Sequence, residues 1–379
     1  MRSPSSDGLK EGPMCNPNTA VEKTGFKLAA SAGGATSVLA ATGAVVACNA
    51  ANVEIDEFFG VSGGGIFSYV LSTGITAREA LHITMETDFS KYVTFEDGIA
   101  LAARKGLRRV LKCVPDTSID VGTNQGYHDW HITGLMGSSK LGDFVRDFGS
   151  KRGVNAWPAS YTTMATTRDG SAMVFNKDGA FLVDTKGNKT QLSSEPVPVE
   201  MAVRSSATIV GVIAAIEYKG MMLFDGGLSR DGLCPVGVMI RHFGYDPKKV
   251  IACRVGEDRL SPVSGRLHRL ARVLWQVHPD FHWGPETAGV IEYRPHIEHV
   301  HSLKFHLTRD EKWLAVLVSF EAATARLALE GLLEGADLAR VQSLFDALGY
   351  WRDYIPAAKG EKQVLADRAE KVFADHGFY

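Results

Sequence analysis

Apolar positions first gather into a short run, Phe26 to Ala30, that ends at Gly33-Gly34 and is followed by an alanine-rich stretch from Ser37 to Ala50. A brief apolar run bounded by glycines reads as a buried strand, and the Ala-rich stretch as a buried helix. The pattern then repeats. Glu57-Phe58-Phe59-Gly60-Val61 runs apolar into Ser62-Gly63-Gly64-Gly65, and Ile66 to Leu71 continues with helical character until Gly74 caps it. Two successive units of strand, glycine turn and helix predict an α/β architecture with parallel strands and right-handed crossovers.

Further along, Thr76-Ala77-Arg78-Glu79 is a capping box that opens a helix running toward Phe89, and a second helix is expected over about Phe95 to Cys113. Asp116 to Ser139 is rich in glycine and lacks periodicity, so it reads as a long loop. Tyr161 to Thr167, the Arg168-Asp169-Gly170 turn and Ala172 to Phe175 form a hairpin, with another around Lys186-Gly187-Asn188. Ile216-Glu217-Tyr218 turns at Lys219-Gly220 into Met221 to Phe224, and Val250 to Val255 gives one more buried strand. Beyond about residue 256 the texture becomes helical, with a box at Thr308-Arg309-Asp310-Glu311. The expected organisation is a disordered polar tail over 1–23, an α/β core over 24–255 with a central, mostly parallel sheet flanked by helices, and a helical C-terminal subdomain over 256–379 packed on that core.

Composition narrows the function. The chain has 379 residues, 45% hydrophobic and 22% charged, an ordinary globular mix. With 41 Lys plus Arg against 43 Asp plus Glu, it lacks the basic excess that phosphate-backbone binding needs, so no nucleic-acid partner is expected. Cys15, Cys48, Cys113, Cys234 and Cys253 are odd in number and form no CxxC pair, which argues against a disulfide framework and for a reducing, cytoplasmic setting. No charge occurs from Leu28 to Val53, and Val45-Val46-Ala47-Cys48 resembles a lipoprotein cleavage site. The run is diluted with Ala, Gly, Ser and Thr and starts late for a signal peptide, so it reads as buried strand, loop and helix.

Gly60-Val61-Ser62-Gly63-Gly64 matches the nucleophile elbow G-x-S-x-G between a strand and a helix. A serine there takes a strained turn that exposes its hydroxyl, and the flanking glycines (Gly60, Gly63, Gly64) avoid clashes with strand and helix. The α/β-hydrolase fold usually owns this motif, but it places several strands before the elbow, and here only one strand and one helix precede Ser62. The general base must therefore come from elsewhere. Phe224-Asp225-Gly226-Gly227 places an Asp directly after a buried apolar strand, at a strand's C-terminal end, where open α/β folds put their ligands.

Taken in order, Ser31-Ala32-Gly33-Gly34-Ala35, the Ser62 elbow, the hairpin Tyr161 to Phe175, Arg204-Ser205-Ser206-Ala207 and Phe224-Asp225-Gly226-Gly227 resemble the patatin-like phospholipases. That family works with a Ser–Asp dyad and no histidine. The resemblance implies a patatin-like core, Ser62 as nucleophile, Asp225 as general base, oxyanion donors at Gly33, Gly34 and Ala35, an acyl-enzyme, a glycerolipid ester as substrate and no cofactor. A carboxylesterase or lipase acting on neutral esters, or a catalytically weak lipid-binding or interaction protein, are the rival readings. The chain departs from the family pattern at Ala32, where a third glycine is usual, at Thr36, where an Arg or Lys is usual, and at Val210, where proline is usual. The missing charge at Thr36 predicts modest turnover and weaker attraction for an anionic head group.

His278, His282, His296, His299 and His301 invite a metal reading, with the last three in what reads as a strand, but no acidic or Cys partner falls at a ligand spacing and no metal is expected. Two basic amphipathic stretches, Arg104 to Lys112 and Arg266 to Trp275, can serve peripheral contact with an anionic membrane surface or form solvated helix faces. Head group, acyl position, oligomeric state and leaderless export carry no signature in the sequence.

Overall fold

Within the computed structural model, residues 22–92, 127–130, 134–229, 232–255, 283–297, 300, 304–349, 351–354 and 359–379 are described. In chain order the elements begin β1 (Phe26–Ala30), α1 (Gly34–Ala50), β2 (Ile55–Val61), α2 (Gly63–Ser72), α3 (Ala77–Glu86), β3 (Tyr127–Trp130), β4 (Gly134–Met136) and α4 (Ser139–Lys151). They continue with β5 (Tyr161–Thr167), β6 (Ala172–Asn176), β7 (Gly179–Val183), β8 (Lys189–Ser193), α5 (Val199–Ser206), β9 (Gly211–Ile213), β10 (Ala215–Tyr218) and β11 (Met221–Phe224). Last come α6 (Val236–Phe243), β12 (Val250–Cys253), β13 (Ile291–Tyr293), α7 (Arg309–Leu329), α8 (Gly335–Leu348) and α9 (Lys359–Asp375).

Strands β13, β12, β1, β2 and β5 lie side by side in parallel and form the centre of the sheet. Period-two alternation sends their side chains to two different cores. Leu28, Ala30, Ile251 and Cys253 face the cluster built by α1, α2, α3 and α7 to α9, whereas Ala29, Phe59, Val61, Val250 and Ala252 face α6. Both sides are covered, as parallel sheets require.

β5 is the branch point. Along one edge it carries β6 antiparallel, with β7 and β8 beyond. Its other edge is shared by two strands: β2 runs parallel to its first half, with Val61 opposite Met164, and β11 runs antiparallel to its end, with Phe224 opposite Thr166. β10 and β3 extend the sheet past β11.

Helix α1 is buried nearly all round, because it lies between the sheet and α7. A Cβ on Gly43 would come within 2.6 Å of Ser319 Cβ, and Ser319 donates to the Ala40 carbonyl at 2.6 Å. Small residues are what this close crossing demands. The uncharged run from Leu28 is thus interior structure, with Cys48 on a buried turn of α1 and its thiol pushed up to about 12 by burial. Among the described residues no helix is long and apolar enough to cross a membrane.

Several expectations change. The helix opened by the Thr76 box ends at Glu86, and a short 3-10 turn, Phe89–Tyr92, follows. The expected loop from Asp116 to Ser139 contains β3 and β4, each too short to leave a periodic signature. Of the histidines read as a strand, His296 lies outside one: β13 ends at Tyr293 and adds to the sheet beside β12. His278, His282, His299 and His301, the helix expected over 95–113 and both basic stretches lie outside the described residues. Capping boxes at Thr76 and Thr308 form as read, each with reciprocal hydroxyl and carboxylate bonds to the first-turn amides.

Candidate active site

The site lies where β2 and β11 meet end to end on β5. Because the two strands approach from opposite directions, the residues following them, Ser62 and Asp225, arrive at the same point. Ser62 Oγ donates to Asp225 Oδ2 at 2.6 Å across 163 residues of sequence. Ser62 has φ 56° and ψ −126°, which a residue with a side chain rarely adopts and which stores on the order of 1–3 kcal/mol. The turn is tight enough to require glycine around it. A Cβ on Gly60 would stand 2.1 Å from the Gly64 carbonyl oxygen, and one on Gly63 would stand 2.0 Å from that of Gly34.

The glycine loop after β1 packs against both partners. Gly33 is the N-cap of α1, and Gly34 and Ala35 are its first two residues, so their amides belong to the helix terminus that lacks intrahelical acceptors. Gly34 and Ala35 line the same cavity as Ser62 and Gly63, with Gly33 one residue behind, against Ser37 and Val255. Since α2 begins directly after Ser62, the N-termini of α1 and α2 both border the cavity at Ser62. Ala32, at the departure from the third glycine, packs against the turn after Asp225: a Cβ on Gly227 would meet Ala32 Cβ at 2.8 Å.

Asp225 is held by its own turn. The Gly227 amide donates to Oδ1 at 2.8 Å, and Thr166 Oγ1 donates to the Gly226 carbonyl at 3.1 Å. Burial pushes the carboxyl up to about 6, although the bonds from Ser62 and Gly227 pull the other way. A carboxylate so raised accepts a proton near neutral pH far better than an ordinary aspartate.

From Ser62 an apolar cavity of ≈ 80 Å³ runs between α1, α2, α3 and α4, lined by side chains that include Val38, Phe67, Val70, Phe89, Tyr92 and Phe144. Its lining is almost wholly apolar, as small-molecule pockets are.

Thr36 is buried, 2% exposed, with Oγ1 3.4 Å from the Val300 carbonyl. A cationic side chain here would lose its water, and Thr36 instead belongs to the packing of α1. Val210 is likewise buried. Sequence reasoning missed two contacts: the Ser62 amide donates to Ser206 Oγ at 2.9 Å, and the Asp225 amide donates to the Thr208 carbonyl at 2.8 Å. The Arg204-Ser205-Ser206-Ala207 segment stands out in the sequence, but nothing in its spacing says what it touches.

A family model described as patatin-like phospholipase matches residues 28–239. No curated protein matches the chain. Among solved structures, the crystal structure of VipD from Legionella pneumophila is similar over 93% of this chain and 81% of that one, at 12% identity and a TM-score of 0.39, a likeness too distant to bear on the chemistry. The family match runs from β1 into α6 and takes in both strand ends that meet on β5, so the chain belongs to the patatin-like phospholipase family.

Proposed function

We propose that the protein is a serine acyl hydrolase that releases fatty acid from glycerophospholipids or related glycerolipid esters through Ser62 and Asp225. The observation carrying this reading is the 2.6 Å bond between the two side chains at the mouth of an apolar cavity. Ser62 Oγ attacks the ester carbonyl carbon while Asp225 takes its proton. The proton passes to the departing alcohol as the ester C–O bond breaks, leaving the acyl group on Ser62. Water, deprotonated by Asp225, then attacks the acyl-enzyme; the fatty acid leaves and the proton returns to Ser62. Amides of Gly33, Gly34 and Ala35 stabilise the oxyanion, aided by the α1 dipole in place of a fixed positive side chain.

Buried Thr36 favours a second reading, hydrolysis of neutral esters, since the loop carries no cation to draw an anionic head group. Peripheral contact through the Arg104 to Lys112 and Arg266 to Trp275 stretches would bring the enzyme to a lipid surface under either reading. Fatty-acid release from phosphatidylcholine micelles and from a matched triacylglycerol, with fluorophosphonate labelling of Ser62, tests the proposal. Release from the phospholipid is expected. Labelling with release only from the neutral lipid would select the second reading, and no labelling at all would leave a lipid-binding protein.

A further inference from the structure

One short segment touches both members of the dyad and the cavity. Ser206, the last residue of α5, is fully buried, and its Oγ accepts the Ser62 amide proton at 2.9 Å. Two residues on, the Thr208 carbonyl accepts the Asp225 amide proton at 2.8 Å. Thr208 is itself fixed: its buried hydroxyl donates to the Ser205 carbonyl at 2.7 Å, with the Leu223 carbonyl 3.2 Å away. The alternate residues, Ala207 and Ile209, line the apolar cavity. On the far side of the elbow, Thr163 Oγ1 donates to the Gly60 carbonyl at 2.8 Å. The elbow is therefore pinned by hydroxyls from two different elements, Ser206 at the Ser62 amide and Thr163 at the Gly60 carbonyl, while the Asp225 backbone hangs from the same segment that supplies the first.

We infer that Ser206 is a positioning residue: it fixes the Ser62 backbone so that Oγ meets Asp225, and with Thr208 it sets the dyad separation from one rigid turn. This inference rests on the Ser62–Asp225 reading. Ser62 at φ 56° has to be held in place by its surroundings, because relaxation toward ordinary backbone angles swings Oγ away from the carboxylate. Misplacing a reacting group by ~1 Å can cost ~100-fold in rate. The loss appears in kcat, because Ser206 Oγ bonds the elbow and does not line the substrate cavity.

The test compares Ser206→Ala with Ser205→Ala. Ser205 is an equally buried neighbour whose hydroxyl donates to Met201 within its own helix at 2.8 Å, so it matches Ser206 in burial and in lost hydrogen bonding without touching the elbow. With p-nitrophenyl esters, Ser206→Ala is expected to lower kcat by ~30–100-fold with KM within ~2-fold, and to slow fluorophosphonate labelling in proportion. Ser205→Ala is expected to keep parental kcat at a similar melting temperature. Parental kcat in Ser206→Ala, or an equal loss in both variants, would overturn the inference. If Ser206→Ala does not fold, Ser206→Cys carries the test: the slightly larger thiol keeps the site filled but accepts weakly, so kcat falls at least ~10-fold, and parental kcat overturns the proposal. Ser62→Ala, run alongside, separates the two readings. Undiminished turnover there removes the dyad itself, whereas an inactive Ser62→Ala beside a fully active Ser206→Ala removes only the role of Ser206.

Discussion

Val61 and Phe224 end on the same edge of β5, opposite Met164 and Thr166, so the residues that follow them are delivered to one point from opposite directions. The arrangement predicts that Ser62→Ala, which removes a hydroxyl and leaves both strand ends intact, abolishes ester hydrolysis and fluorophosphonate labelling without lowering the melting temperature. Hydrolysis by a clean Ser62→Ala preparation would sink the assignment.

Asp225→Asn keeps the size and the bond from the Gly227 amide but removes basicity. Turnover should drop at least ~100-fold if proton transfer carries its usual share. In the parent, kcat/KM should rise with pH through about 6 and level above it, because the carboxylate must be ionised to act as a base.

Stability should move the opposite way. Burial raises the carboxyl from an ordinary value near 4 to about 6, so ionising it costs the folded state. The cost is absent below the unfolded value, grows between about 4 and 6, and is complete above that window, at about 3 kcal/mol. Asp225→Asn should therefore be more stable than the parent to urea at pH 8 and no more stable at pH 4. Equal stability at both pH values would show that the carboxyl is better solvated than its surroundings imply.

Gly63→Ala would place a methyl 2.0 Å from the Gly34 carbonyl oxygen, backbone against backbone. Either the loop after β1 retreats or the elbow opens. The variant should lose about 1–3 kcal/mol of stability and nearly all labelling, even though Ser62 and Asp225 are unchanged. Labelling at the parental rate would mean that the loop moves freely and has no part in the reaction.

Phe144 stands at the α4 wall of the cavity, its ring 4.6 Å from that of Tyr92. Phe144→Ala lengthens the space available to an alkyl chain. Across a p-nitrophenyl ester series the optimum should shift to longer acyl chains, changing the long-to-short ratio of kcat/KM by ~10-fold, as one or two methylenes of apolar contact allow. An unchanged ratio would place the acyl group elsewhere.

What could be read from sequence was local. The Ser62 elbow, the Asp225 turn and the boxes at Thr76 and Thr308 each announce themselves within a few residues, because glycine geometry and capping chemistry act over one turn of chain. What escaped depends on distant partners. Ser206 looks like any helical serine until α2 is laid against it, and Thr36 looks replaceable by arginine until the Val300 carbonyl, 264 residues away, closes over it. β3, β4 and β13 span three or four residues each, too few for alternation to show; neighbouring strands define them.

The meeting of β2 and β11 on β5 also dates the site within the life of the chain. Neither strand alone creates a reactive serine: β2 has to find β5 across about a hundred residues, a separation marked by the Thr163 bond to Gly60 at |i−j| = 103, and β11 has to dock on what remains of that edge. Pairings of such long range are slow to form, because loop-closure entropy is lost before any contact compensates for it. A chain in which only one of the two strands has docked on β5 would hold Ser62 and Asp225 apart. On the proposed chemistry the Ser62–Asp225 pair forms only when both strands are docked on β5, so activity would report that this part of the sheet is complete.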